Sequence, residues 1–205
     1  DKTVFYPEGG GQPGDMGRIA NNTFEADVTN TIKSTDGILH LIDNKLGSIS
    51  AGDDVKIDID WERRYSLMRM HTALHILYSI VDGAVTGGSV GVQKSRLDFD
   101  IPGERPDKES LTQQLTEIVD RNYPVVSSWI SYQELQENPD LIRTMSVKPP
   151  TGTGQVRMIR IGDAIDFQPC GGTHVKSTGE IGKIKISKIE NKGKQNRRIN
   201  LTWDN

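Results

Sequence analysis

The chain has 205 residues, with 25 basic and 28 acidic side chains, a formal charge of −3 and a single cysteine. A chain of this size can bury a core without covalent staples, one cysteine cannot form an internal disulfide, and no apolar run approaches the ~20 residues of a membrane-crossing helix. These bounds exclude a disulfide scaffold and a helical membrane span, and they favour a reducing, cytoplasmic compartment.

The chain begins at Asp1 with "DKTVFY", which reads as a strand, so further residues upstream are expected; no basic region followed by an apolar one suggests a signal peptide. Next comes "FYPEGGGQPGDMG", residues 5–17. Gly9, Gly10 and Gly11 permit positive φ and close backbone approach, and their N–H groups are suited to an anion or a carbonyl. Gln12 adds an amide that both donates and accepts, and Tyr6 and Glu8 flank the turn. A simple turn between strands remains the alternative. The runs "FEADVT", "GILHLID" and "DVKIDID", separated by turn signals, then predict a small β-barrel or sandwich over residues 1–60.

From Trp61 the periodicity becomes helical. Leu67, Met70, Leu74, Leu77 and Val81 recur at steps of three and four, with Asp60 as N-cap. A second helix is expected from Asp107, and a third from the capping box of Ser131 and Glu134, ending near Pro139. Strands are expected at "SRLDFD", "PVVSSWI", "QVRMIRI", "DAIDF", "IGKIKISKI" and "RRINLTW". Residues 61–205 therefore read as α+β, with helices packed on a largely antiparallel sheet. The glycine-rich stretch "AVTGGSVG" offers Thr86, whose hydroxyl either approaches a ligand or lies on a strand edge.

Charge is unevenly distributed. Residues 1–60 carry eleven acidic side chains against five basic, a balance of −6, whereas residues 181–200 carry seven basic against Glu190 alone, a balance of +6. Lys192, Lys194, Arg197 and Arg198 in that segment suit phosphate contacts, or else form a solvated hairpin.

Only four histidines are present, and three of them fall into matching pairs with the sole cysteine. His71 and His75 are four apart on one helix and project from the same face. Cys170 and His174 repeat that spacing around Gly171 and Gly172, glycines expected to let the backbone turn tightly. Nitrogen and sulfur donors at such spacing suit one Zn²⁺ per chain. A closed four-ligand shell would be structural and an open one catalytic, so a zinc-stapled RNA-binding module without activity and a hydrolase both fit.

Four stretches taken in order, "FYPEGGGQPGDMG", "RMHTALHIL", "VQKSRLDFD" and "CGGTHVKSTGEIGKIKISKIENKGKQNRRI", resemble the AlaX family of free-standing alanyl-tRNA editing proteins, which are similar to the editing domain of alanyl-tRNA synthetase. The resemblance covers residue 3 to about 202. It implies hydrolysis of tRNA(Ala) mischarged with serine or glycine, zinc on His71, His75, Cys170 and His174, and a small β-barrel ahead of the catalytic domain, here without its first strands. It also implies that Gln12 approaches the catalytic pocket. Threonyl-tRNA synthetase has a related zinc-motif domain but no such glycine-rich module, and a detached editing fragment of either synthetase is the alternative identity. On this reading Gln12 and Thr86 are candidates for contact with the substrate hydroxyl. Arg69 lies either near the acceptor-end phosphates or on the opposite side of its helix.

Overall fold

The computed structural model describes residues 2–138, 141 and 154–204. Pro139, where the third helix is expected to break, lies outside them. Among the described residues the architecture is mixed α+β, with three antiparallel sheets and three α-helices.

The N-terminal sheet contains β1 (Gly17–Ala20), β2 (Phe24–Ser34), β3 (Gly37–Gly47) and β4 (Lys56–Ile59), in the order β3-β2-β1-β4. Strand β2 buries Phe24, Ala26 and Val28 by simple alternation, and two bulges interrupt its ladder with β3. Of the expected barrel, this open order is what the ladders give; among the described residues none joins β3 to β4. Strand β3 occupies one edge, and Ile38, Leu39, Leu41, Ile42 and Leu46 on it are exposed.

Residues 2–6 of the expected first strand do not form one. Phe5 is buried, and the Tyr6 N–H donates to Asp15 Oδ2 at 2.6 Å instead of joining a ladder. Asp15, itself buried, also receives the Arg64 guanidinium from the first helix. That ion pair fastens the glycine-rich loop to the helix. A side-chain carboxylate thus does for this segment what strand pairing was expected to do.

Helix α1 (Trp61–Ile80) is capped by Asp60, whose side chain accepts from Arg63 N at 3.0 Å, a cap of the kind that stabilises by ~1 kcal/mol. Every residue from Met70 to Tyr78 is buried. A helix enclosed on all sides belongs inside the protein, and α1 packs on α2 (Lys108–Asp120), on the strand Lys94–Asp100 and on the strand Asp166–Pro169. The second sheet has the order β10-β11-β6-β5, from β5 (Ala84–Ser89), β6 (Lys94–Asp100), β10 (Ile184–Asn191) and β11 (Asn196–Trp203). Met70, Leu74 and Leu77 join Phe99, Leu115, Ile186, Ile199 and Leu201 in the main core.

The third sheet has the order β7-β8-β9, from β7 (Val125–Ser131), β8 (Gln155–Ile161) and β9 (Asp166–Pro169). One face carries Ile159 and Ile161 into the main core, and the other packs Val156 and Met158 under α3 (Tyr132–Glu137). The expected "DAIDF" strand starts later than its sequence suggests, because 162–165 make a turn with Gly162 at φ 52°.

Candidate metal centre

Buried polar side chains on an enclosed helix need partners, and on α1 these are His71, Thr72 and His75. The two histidines meet Cys170 and His174 from the segment after β9. One donor atom from each of the four lies within 4.8 Å of the others. Cys170 Sγ is 3.6 Å from His71 Nε2 and 3.3 Å from His174 Nε2. A tetrahedral zinc with ordinary bond lengths separates its sulfur and nitrogen ligands by about 3.5 Å, so the donor set fits such an ion.

Each imidazole is oriented from behind. His71 Nδ1 is 2.7 Å from Gln12 Oε1, an oxygen that can only accept, so Nδ1 carries the hydrogen. His75 Nδ1 is 2.8 Å from Asp166 Oδ2. His174 Nδ1 lies 3.1 Å from the Thr72 hydroxyl, whose own hydrogen goes to the Met68 carbonyl, so this hydroxyl accepts from the ring. All three Nε2 atoms are thereby left facing inward as ligands.

Burial opposes ionisation of the Cys170 thiol, but His71 and His75 nearby and hydrogen bonds from His174 and His71 outweigh it and hold its pKa well below the ordinary value. Burial, reinforced by His71 and His75, pushes His174 down to about 3, which keeps it neutral. For His75 burial acts downward, yet Cys170 and Asp166 prevail and raise it to about 10. A divalent cation at this site would compete with the proton that these groups share.

The glycine-rich loop reaches this centre through one side chain. Gly9 and Gln12 pair as a two-residue hairpin, with N–H to carbonyl distances of 3.1 and 3.0 Å, and Gly10 and Gly11 take φ 59° and 81° at its tip. Gly9 spends its N–H on that pairing. The Gly10 and Gly11 N–H groups make no hydrogen bond among the described residues. Gly11 docks on β5: its carbonyl accepts from Val90 N, and a Cβ there would sit 3.1 Å from the Gly88 carbonyl oxygen. The two glycine-rich stretches thus meet.

Gln12 is fully buried. Its Oε1 also accepts from Thr173 N at 3.1 Å, and its Nε2 donates to Thr173 Oγ1 at 2.8 Å. Tyr6, its hydroxyl on the Gly9 carbonyl, is raised to about 12 by burial first and then by Cys170. Glu8 faces away, toward Asn30.

Several other candidates are engaged elsewhere. The Thr86 hydroxyl donates to the Asp98 carbonyl and accepts from Asn196 Nδ2, and no contact joins it to the four-residue cluster among the described residues. Arg69 donates to the Ile181 carbonyl at 2.9 Å and stacks on Trp203 at 4.2 Å. Arg197 is buried against the carbonyls of Gly193, Lys194 and Gly103, and Arg198 grips Asp98 through two bonds of 2.7 and 2.9 Å. Each of these three arginines thus has partners within the fold. Lys192 and Lys194 remain exposed at the β10–β11 turn, Lys192 3.5 Å from Glu190.

If these lysines meet RNA phosphates, replacing both by alanine lowers the slope of RNA affinity against salt by roughly 1.5, at ~0.7–0.9 per lost phosphate contact, without changing the melting temperature. Arg197→Ala should instead lower the melting temperature. Filter binding across a salt series and a thermal melt separate the two effects.

Sequence reasoning missed Asp166, Gln168, Thr72, Thr173 and Arg157. Gln168 Nε2 donates to both Asp166 oxygens, and Arg157 Nη1 donates to the carbonyls of Cys170 and Gly172 at 2.9 and 2.7 Å. Alternation along "DFQPC" was the available signal, since it sets Asp166 and Gln168 on one face just before the cysteine. Asp166→Asn should weaken zinc binding about tenfold, at the low end of the range for groups that orient a ligand. Competition with a chelating dye measures it, and unchanged affinity would leave Asp166 a scaffold residue.

The Gly171–Gly172 pair is explained differently from its sequence expectation. Neither has a positive φ. A Cβ on Gly172 would lie 2.1 Å from His71 Cε1, whereas one on Gly171 meets nothing within 4 Å. Gly172 makes room for a ligand ring.

Comparison with known proteins agrees with this geometry. A model described as the threonyl and alanyl tRNA synthetase second additional domain matches residues 156–200, which include Cys170 and His174, and one for class II (A) tRNA synthetases matches residues 1–63. The chain is 36% identical, over 98% of its length, to alanyl-tRNA editing protein AlaX-M of Methanosarcina acetivorans, of which it covers 86%. It is 38% identical over 98% of its length to AlaX-L of Pyrococcus horikoshii, covering 50% of that protein. It is also 35% identical over 93% of its length to an alanine–tRNA ligase of Pyrobaculum arsenaticum, covering 22% of that enzyme. With identity of this extent and both halves of a four-donor centre in place, the chain belongs to the family of alanyl-tRNA editing proteins.

Proposed function

We propose that the protein is an aminoacyl-tRNA deacylase that hydrolyses the ester of tRNA(Ala) mischarged with serine or glycine, acting in trans in the cytoplasm with one Zn²⁺ per chain. The observation that carries this reading is the convergence of three inward-facing Nε2 atoms and the Cys170 thiol, each imidazole held by a second protein group. We read residues 1–60 as a glycine-rich domain, part of a small β-barrel, and 61–205 as the editing domain.

His71, His75, Cys170 and His174 would hold the ion, which when bound supplies a Lewis acid or an anchor for the substrate amino group. The remaining work falls to the chain. Gln12 keeps His71 in the tautomer that leaves Nε2 free, and Asp166 does so for His75. The Gly10 and Gly11 N–H groups, unbonded within the protein, are donors for the oxyanion that develops at the ester carbon. Thr86 and Arg69 serve as scaffold, and Lys192 and Lys194 meet phosphates.

Serine and alanine differ by a hydroxyl, so a site that spares alanine, the smaller side chain, cannot work by excluding bulk. On serine it must reward the hydroxyl, and such a site can discriminate by ~10⁴–10⁵, whereas on glycine the missing methyl leaves room for a water that makes the same bonds. The test is deacylation of Ser-, Gly- and Ala-tRNA(Ala). Hydrolysis of the first two, sparing of the third, loss with chelator and recovery with added zinc are expected. Zinc-replete protein that binds tRNA yet hydrolyses none would be an RNA-binding module instead.

A further inference from the structure

We propose that Trp129 and Arg157 form a nucleotide subsite beside the metal centre, Trp129 stacking on a base of the single-stranded 3′ end of the RNA and Arg157 facing an adjoining phosphate. This rests on the preceding reading that an aminoacyl-RNA is the substrate.

Trp129 and Arg157 are directly opposed in the β7–β8 ladder, so their side chains share a face with Cβ atoms ~5 Å apart. Alternation fixes which face it is. Ile159, Ile161, Asp166 and Gln168 lie on the same side by register; Asp166 holds His75, and Gln168 donates to Asp166. The face that carries Trp129 is therefore the one that fronts the metal centre.

Arg157 bridges the two. Its Nη1 holds the carbonyls of Cys170 and Gly172, while Nε and Nη2 make no hydrogen bond and no carboxylate pairs with it among the described residues. A guanidinium without a counter-ion, next to backbone carbonyls, suits a phosphate.

Trp129 is 59% exposed. It stands on an edge strand, near the middle of β7, and serines 127 and 131 flank it on the same face. An indole so exposed loses apolar contact that the fold does not recover. What can recover it next to a phosphate-binding group is a flat ring joined to that phosphate. Unpaired nucleotides provide both, because every base has a π-face, and such stacking is sequence-tolerant.

Trp129→Ala and Trp129→Phe should be compared on a serine-charged acceptor-stem minihelix of tRNA(Ala) and, for binding, on its uncharged form with and without the 3′-terminal nucleotide. The alanine variant should raise KM about tenfold, as loss of one stacked base predicts, with kcat and zinc content unchanged. Phenylalanine should restore most of the loss. Removing the terminal nucleotide should weaken the wild type but have little further effect on Trp129→Ala. Unchanged KM, equal losses from truncation in both proteins, or a fall in kcat together with zinc would overturn the subsite. Wild-type protein that binds the minihelix with this coupling but never hydrolyses it would retire the deacylase reading and keep the subsite. Hydrolysis without the coupling would do the reverse.

Discussion

Gly172→Ala should leave the purified protein with no more than background zinc and no measurable deacylation, while Gly171→Ala should stay within about twofold of wild type in both. The added methyl at 172 would fall 2.1 and 2.4 Å from His71 Cε1 and Nδ1 and 3.0 Å from Gln12 Oε1. No real Cβ is accommodated at the first two distances. The ring cannot retreat, because it sits on a fully packed stretch of α1 and its Nδ1 is held by Gln12. Either the imidazole leaves its rotamer or the 170–174 segment shifts, and in both cases the ligand set separates. The neighbouring position provides the control, since a methyl there enters open space. Metal analysis after zinc loading and desalting, followed by the deacylation assay, reads the contrast directly. Equal tolerance at the two positions would mean that the backbone here adapts and that steric room for His71 does not fix the centre.

Gln12→Ala should cost about a hundredfold in zinc affinity, the upper end for a group that orients a metal ligand, and should slow Ser-tRNA(Ala) and Gly-tRNA(Ala) hydrolysis equally. Sequence alone favoured contact between Gln12 and the serine hydroxyl, which predicts a loss confined to the serine substrate. The side chain is instead saturated at its oxygen, which accepts from His71 and from Thr173 N, and its amide is committed to Thr173 Oγ1. Truncation at a fully buried site leaves three partners unsatisfied. A dye competition for zinc and parallel rates on the two charged tRNAs distinguish the cases. A serine-selective loss with normal zinc affinity would return Gln12 to the substrate side.

The metal donors were legible because helical spacing is a local property. His71 and His75 share a face by periodicity alone, and four residues of two scarce types falling into two pairs is visible without coordinates. Helices α1, α2 and α3 were legible for the same reason, through Asp60, Asp107 and Ser131 as caps. What stayed hidden depends on contacts distant in sequence. Gln12 and Thr173 are 161 residues apart, and His75 and Asp166 are 91 apart. Strand β1 has four residues, too few to show a period, and "DKTVFY" has strand composition but is held by a carboxylate. In the basic segment, composition counts charges but not their partners: Arg197 is buried against backbone carbonyls and Arg198 is paired with Asp98.

Strand β3 has a practical consequence. It is eleven residues long, lies at a sheet edge, and shows Ile38, Leu39, Leu41, Ile42 and Leu46 to solvent with no proline to interrupt it. Among the described residues no strand pairs with its outer edge, and an apolar edge of that length is a template for another chain's strand. Strand addition there is the expected route of self-association when the protein is concentrated. A single lysine at Leu41 would raise solubility while leaving the zinc content of each molecule untouched.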